Sequence, residues 1–130
     1  MAITLADNAR NGSANAVVDL IDTGSGAANG QIRIFNSGRS TLLSTLNFSA
    51  VAFGDAATGV ATANAIAADT NAAATGTAAE FVIVNKAGTE ILRGTITDTA
   101  GSGDMKLSRT NITAGDTVSI TSMTFTVPAT

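Results

Sequence analysis

The side chains that could do chemistry in this sequence are carboxylates, hydroxyls, lysines and arginines. None of the 130 residues is histidine or cysteine, so the commonest general base and the thiolate nucleophile are both absent. Zinc sites built from thiolate or imidazole are excluded for the same reason. Ten acidic residues remain. Four of these acids lie where neighbouring residues suggest a reaction or a metal ion.

The first of these acids is Asp22, within the run Leu20–Gly24. This run resembles the active-site loop of aspartic proteases, in which two apolar residues precede Asp-Thr-Gly and the carboxylate activates water. That loop should follow a strand, whereas the residues before Asp22 fit a helix. The family's later apolar-apolar-Gly element has only a loose counterpart at 91–94, where Arg93 intrudes. We therefore keep an aspartic-protease-like enzyme that uses Asp22 as a remote alternative to a helix end running into glycine.

The glycine-rich run 24–30 raises the question of a phosphate loop. Such loops come after a strand and open a helix. Here the predicted order is helix, loop and then strand, and no Gly-Lys-Ser/Thr follows. The run is therefore interpreted as a connection between elements.

Asp98, Asp104 and Asp116 all lie in predicted turns. Calcium needs several oxygen ligands from one compact loop, and the spacing of these three acids matches no such loop. We interpret them as solvated turn residues. The sequence therefore predicts no catalytic, cofactor-binding or metal-binding residues, and no cofactor.

Composition and charge narrow the possible partners. The formal net charge is -3, whereas nucleic-acid binding calls for a basic patch. No run approaches the roughly 20 apolar residues that span a membrane, and we see no secretory signal. Alanine accounts for 25 residues, and its side chain buries little area. Self-association would add buried area, so we expect an assembly subunit that binds neither nucleic acid nor membrane.

Residues 4–21 are predicted to form a helix. Thr4 is its expected N-cap, and Asp7 lies in the first turn, where the helix dipole favours an anion. Apolar and small side chains recur every three to four residues, which predicts a single core-facing side. The members of this predicted face are Leu5, Ala9, Ser13, Ala16, Val17, Leu20 and Ile21.

From residue 31 the apolar pattern changes to the two-residue period of strands. Turn signals such as Asn85–Gly88 separate the strands. The predicted strands are 31–35, 41–49, 59–66, 77–84, 89–97, a short one within 107–112, and 117–127, which has the clearest alternation.

One helix followed by seven or eight short strands predicts a mainly β fold. The expected architecture is an antiparallel β-sandwich or jelly-roll-like domain with an N-terminal α-helix. We expect one domain over residues 1–130, with an N-terminal helical segment at 1–22 and the β-sandwich at 30–128.

Several runs of this chain resemble a group of small virion proteins of tailed bacteriophages, of the capsid decoration or cement type. The resemblance covers nearly the whole chain, and its motifs are glycines and small residues at strand ends. The runs that carry it are 30–35, 53–56, 74–81, 88, 94–96, 104–107, 112–120 and 124–128.

The resemblance implies a structural protein rather than an enzyme. Such a protein would be made in the host cytoplasm and would bind the major capsid protein on the outer capsid surface of the virion. It would do so as a homotrimer that strengthens the shell. The small-residue patch at 50–68 and the helix face are the expected contacts between copies. The alternative within the same particle is a tail or neck structural protein.

Overall fold

The computed structural model describes residues 3–130, and within them the chain is mainly β. Strands account for 34% of the chain and helix for 15%, which confirms the predicted class. The single α-helix of the described residues lies near the N-terminus, as expected. Within residues 3–130, no helix is both long and apolar enough to cross a bilayer.

The helix, α1, spans Asp7–Asp19 and continues into a 3-10 turn, Leu20–Asp22. The predicted start at Thr4 is wrong. Ala6 is the N-cap, in extended conformation with φ -68° and ψ 158°, and no side chain caps the helix. The reason is tertiary, because the Leu5 N–H donates to the carbonyl of Ala129 at 2.8 Å and holds the preceding residues extended.

The core-facing side of α1 differs from the predicted one. Ala14, Val18 and Ile21 are buried, at the i, i+4, i+7 spacing of one helix face. Only Ile21 belongs to the predicted face. The spacing of the apolar residues predicted the wrong side of the helix because polar side chains, described below, also face inward. The exposed members of the predicted face are Leu5, Ala9, Ser13, Ala16 and Leu20.

Nine strands follow α1 in the described residues. They form a five-stranded sheet in the order β2-β1-β5-β6-β7 and two short pairs, β3-β9 and β4-β8. The strands are β1 Gln31–Phe35, β2 Leu42–Asn47, β3 Val60–Thr62, β4 Gly76–Thr77, β5 Glu80–Val84, β6 Glu90–Asp98, β7 Met105–Leu107, β8 Asn111–Ile112 and β9 Thr124–Thr126.

Strands β1 and β5 form the centre of the large sheet. They pair antiparallel, with Ile32 opposite Ile83. Ile32 and Ile34 are fully buried, and so are Leu43 and Leu46 on β2. The same cluster includes the buried residues of α1, so helix and sheet share one core.

Strand β7 pairs parallel to β6, with Ile96 opposite Met105. The sheet is therefore mixed, and the predicted purely antiparallel arrangement is wrong. Parallel neighbours normally need a connection of a dozen or more residues, yet here residues 99–104 suffice. Glycine makes this short connection possible, because a side chain at either of two positions would collide with Thr97. A Cβ at Gly101 would lie 2.5 Å from the Thr97 Cβ, and a Cβ at Gly103 would lie 2.8 Å from the Thr97 backbone nitrogen.

The strands are shorter than their sequence patterns. Of the predicted 117–127 strand only β9, Thr124–Thr126, pairs in a sheet, and of 59–66 only β3, Val60–Thr62. Outside β3 and β9, these runs take part only in isolated bridges, such as Val118 with Asp69 and Ala63 with Phe53. Alternation predicts extended backbone, whereas the length of a strand depends on the partner beside it.

Two glycine substitutions should have opposite effects. A Cβ at Gly30 would meet the Ile21 side chain and lie 2.9 Å from the Ile21 carbonyl oxygen, so Gly30→Ala should lower the free energy of unfolding by about 1–3 kcal/mol. Gly12 lies in α1 with no neighbour within 4 Å, so Gly12→Ala should raise it by about 0.5–1 kcal/mol. Urea denaturation of both variants tests this, and equal effects would contradict the packing around Gly30.

Candidate functional site

Asp22 holds a loop in place. Its Oδ1 accepts a hydrogen bond from the backbone N–H of buried Ala52 at 2.9 Å. The next residue, Thr23, donates its hydroxyl to the Leu20 carbonyl at 2.6 Å, which closes the helix end. The run that resembles a protease loop thus follows a 3-10 turn rather than a strand.

Asp22 belongs to a row of polar side chains on the inner side of α1. Asn15 Oδ1 accepts the N–H of Ala56 at 2.8 Å, and Asn11 Oδ1 accepts the N–H of Gly59, also at 2.8 Å. Residues 11, 15 and 22 lie on one side of the helix. Because an unpaired buried N–H is costly, this row fixes the path of residues 52–59, and sequence reasoning missed it.

The glycine-rich run 24–30 packs on the turn between β5 and β6. The N–H of Ala27 donates to the Lys86 carbonyl at 2.8 Å, and the N–H of Lys86 donates to the Thr23 carbonyl at 3.0 Å. Gly24 has φ +90°, and a Cβ there would lie 2.9 Å from the Cβ of Ala87. Close backbone approach therefore explains this glycine, in agreement with the interpretation of the run as a connection.

Asp98 and Asp104 lie at the two ends of the connection between β6 and β7, and both accept hydrogen bonds. Asp98 Oδ1 accepts the backbone N–H groups of Ala100 and Gly101 at 3.0 and 3.1 Å. Asp104 Oδ2 accepts the backbone N–H of Thr95 at 3.0 Å and its hydroxyl at 3.1 Å. The backbone bond from Thr95, followed by the hydroxyl bond, lowers the pKa of Asp104 below its usual value.

Asp116 has the same kind of role. Its Oδ2 accepts the backbone N–H of Thr113 at 2.9 Å and pairs with the Arg109 guanidinium at 2.9 Å. Within residues 3–130 no three acidic side chains are grouped so as to hold a metal ion. The three acids suggested by the sequence are thus bound by separate turns.

Asp69, which the sequence did not single out, connects three parts of the chain. Its Oδ2 accepts the hydroxyl of fully buried Ser44 at 2.6 Å and the N–H of Thr45 at 3.1 Å. Its Oδ1 accepts the N–H of Asn71 at 3.0 Å, and its backbone bonds reciprocally with Val118. Desolvation by itself would raise the pKa of Asp69, but the hydrogen bonds from Ser44, Asn71 and Thr45 together lower it.

Two open clefts flank residues 119–122. The first, of about 350 Å³, has mostly polar side chains, among them Lys106, Arg109 and Asp116. The second, of about 680 Å³, lies between the sheet and β9, with apolar walls that include Phe81, Leu92, Met105, Met123 and Phe125.

Comparisons with protein-family models, with curated proteins and with solved structures found no match.

Asp22 substitutions separate a structural from a catalytic role. Asp22→Ala removes the acceptor of a buried N–H and should lower the free energy of unfolding by about 1–3 kcal/mol. Asp22→Asn keeps an oxygen in the same place and should cost less. Denaturant unfolding measures both, while a peptide-library digest checks for cleavage. Cleavage by the wild-type protein that Asp22→Asn abolishes would establish the protease alternative instead.

Acid should weaken the Asp69 connection. Because the pKa of Asp69 in the folded protein lies below the ordinary value for an aspartate, its contribution to stability is complete above that ordinary value and is lost as the pH falls through the lowered pKa. Asp69→Asn should therefore lower the free energy of unfolding at pH 7. The difference between this variant and the wild-type protein should become smaller below about pH 4. Ser44→Ala removes one donor and should move the pKa of Asp69 upward. Unchanged acid unfolding in both variants would contradict this.

Proposed function

We propose that this protein is a structural component of a tailed-phage virion that binds the outer surface of the capsid and stabilises the shell. In this proposal it contacts the major capsid protein and assembles as a homotrimer. Support comes from the residue runs that resemble decoration proteins and from the mainly β fold with a helix near the N-terminus. The observation that carries the proposal is the exposed small-residue face of α1.

This face has the character of a protein contact. Ala9, Ser13, Ala16 and Leu20 are all exposed, and Leu20 keeps 48% of its surface accessible. Their spacing places them along one side of the helix. Small side chains let another backbone approach closely, and interfaces between permanent partners are more apolar than free surfaces. The face therefore suits contact with another copy.

The second expected contact, the patch at 50–68, is divided in the structure. Ala52 and Ala61 are fully buried, whereas Val51 is 58% exposed. Val51 and its exposed neighbours are thus the part of this patch available to a capsid subunit or another copy.

The acids suggested by the sequence have structural contacts that a binding protein would use. Asp22, Asp98, Asp104 and Asp116 each accept backbone hydrogen bonds that shape a loop. Residues used in this way position the surface of the protein.

We also propose that the sheets form a sandwich. The core cluster joins residues of the large sheet, such as Ile34, to Ala61 on β3 and Ile112 on β8. One curled sheet and two short pairs thus pack over the same interior, which is the arrangement that a sandwich requires.

Copy number in the virion tests the location. A decoration protein should be present in hundreds of copies per particle, whereas a tail or neck protein should be present in a few or a few dozen. Quantitative mass spectrometry of purified particles gives this number.

Shells that lack the protein should bind it in a co-sedimentation assay and then withstand higher temperature. Binding to tails alone would overturn the capsid proposal.

The helix face is tested by one substitution. Ala16→Arg places a large charge on the exposed face and should shift the mass in light scattering from trimer toward monomer. The fold should tolerate it, since surface changes usually alter stability by no more than about 0.5 kcal/mol. Ser37→Arg, in the exposed turn after β1, is the control and should leave the mass unchanged. A monomeric wild-type protein at micromolar concentration would contradict the trimer.

A further inference from the structure

Residues 117–127 have the clearest strand pattern in the sequence, but only Thr124–Thr126 pair in a sheet. We call residues 119–130 the β9 segment. Its side chains alternate between exposed and half-buried positions from Ser122 to Thr130. The inward side chains of Met123, Phe125 and Val127 are only half-buried, whereas those of β1 are fully buried. The apolar side of the β9 segment is thus incompletely covered.

The space beneath this segment is not filled. The apolar cleft of about 680 Å³ separates Met123 and Phe125 from Phe81, Leu92 and Met105 on the large sheet. The cleft is open at the surface. Met123, Phe125 and Val127 pack against the core, but they are less completely buried than Ile32 and Ile34 of β1.

The first four residues of the segment, 119–122, are held by few contacts, chiefly the half-buried side chain of Ile120 against the core. Val118 is fixed by its bridge with Asp69, and Met123 accepts a hydrogen bond from Ala63. Within residues 3–130, the backbone groups of residues 119–122 make no such bonds with one another or with other elements. Four extended residues span up to about 14 Å. This stretch can redirect the segment without breaking a strand.

The backbone and polar attachments of the β9 segment lie on Leu5, on α1 and on residues 59–63. Phe125 lies opposite Ala61 in the β3-β9 pair. The N–H of Val127 donates to the Gly59 carbonyl at 2.8 Å, and Arg10 Nε donates to the Val127 carbonyl at 2.9 Å. These contacts hold residues 123–130 against α1 and residues 59–63. Along the chain, residues 119–122 connect residues 123–130 to the body of the domain. A second copy presents the same surface with the same contacts.

We propose that the β9 segment is exchanged between copies, so that β9 of one chain pairs with β3 of the next. Exchange of an identical element between subunits requires no new recognition surface. Residues 119–122 would then cross from one copy to the next, and β9 would keep the same pairing with β3. The direct contacts of α1 with β9 put this exchange beside the helix face proposed for self-association. The exchange rests on the self-association of the proposed function but not on capsid binding.

A disulfide across the β3-β9 pair tests the exchange. Thr62 and Thr124 lie opposite one another and are both exposed, and opposite residues in antiparallel strands are near enough for a disulfide. The chain has no cysteine, so Thr62→Cys with Thr124→Cys creates the only pair. The assembled protein is oxidised, denatured and analysed on a non-reducing gel with intact-mass measurement. Exchange predicts covalently linked oligomers, with three chains in a closed ring for a trimer.

Each single-cysteine variant is the matched control, because it cannot form the pair and should yield only background dimer. A monomer with an internal disulfide would overturn the exchange. If that monomer comes from a protein with the native mass of a trimer, the exchange fails while the proposed trimer stands. The pair Val60→Cys with Thr126→Cys, also in register, repeats the test should the first variant fold poorly. Agreement of the two pairs on linked oligomers establishes the exchange.

Discussion

Backbone N–H and C=O groups in the long, irregular stretch between β2 and β5 must find hydrogen-bond partners, and much of the structure depends on how they do so. Residues 48–79 contain only the two short strands β3 and β4, so regular strand pairing satisfies few of them. Isolated backbone bonds to distant residues satisfy many others, such as the two bonds between Asp69 and Val118. Side chains supply further acceptors: Asn11, Asn15 and Asp22 from the helix and the turn after it, and Asp69 from within the stretch. Because an unsatisfied buried group is costly, these bonds fix the path of the chain together with apolar packing.

The scarcity of large side chains has the complementary effect. With 25 alanines and 13 glycines, neighbouring backbones approach closely, and the core depends on a few residues such as Ile32, Ile34 and Leu46. Gly30 lies against Ile21, and a Cβ at Gly76 would lie 2.9 Å from the Leu43 side chain. Close approach of this kind lets the core pack around few large side chains. The periphery, where β7 and β9 lie, has open clefts.

The acidic residues illustrate how one residue type serves different ends. Asp22 had the surroundings of a catalytic carboxylate in sequence, whereas in three dimensions it accepts the N–H of Ala52. Asp69 had no distinctive surroundings, yet it connects β2, its own loop and Val118. The only local sign of Asp69's role is the Asx turn with Asn71, a common motif. Long-range donors therefore decide what each carboxylate does.

Local periodicity and the placement of glycine and asparagine predicted the mainly β class, the helix near the N-terminus and turns such as Asn85–Gly88. The hairpin at Asn85–Gly88 and strand β1, Gln31–Phe35, agree with their predicted bounds. Tertiary structure decided the buried side of α1, the parallel pairing of β7 and the short length of β9. Each of these depends on a partner far away in sequence: the amide of Gly59 for the helix, the backbone of Thr97 for β7, and the three residues of β3 for β9. Periodicity shows which residues point the same way, but not what lies opposite them.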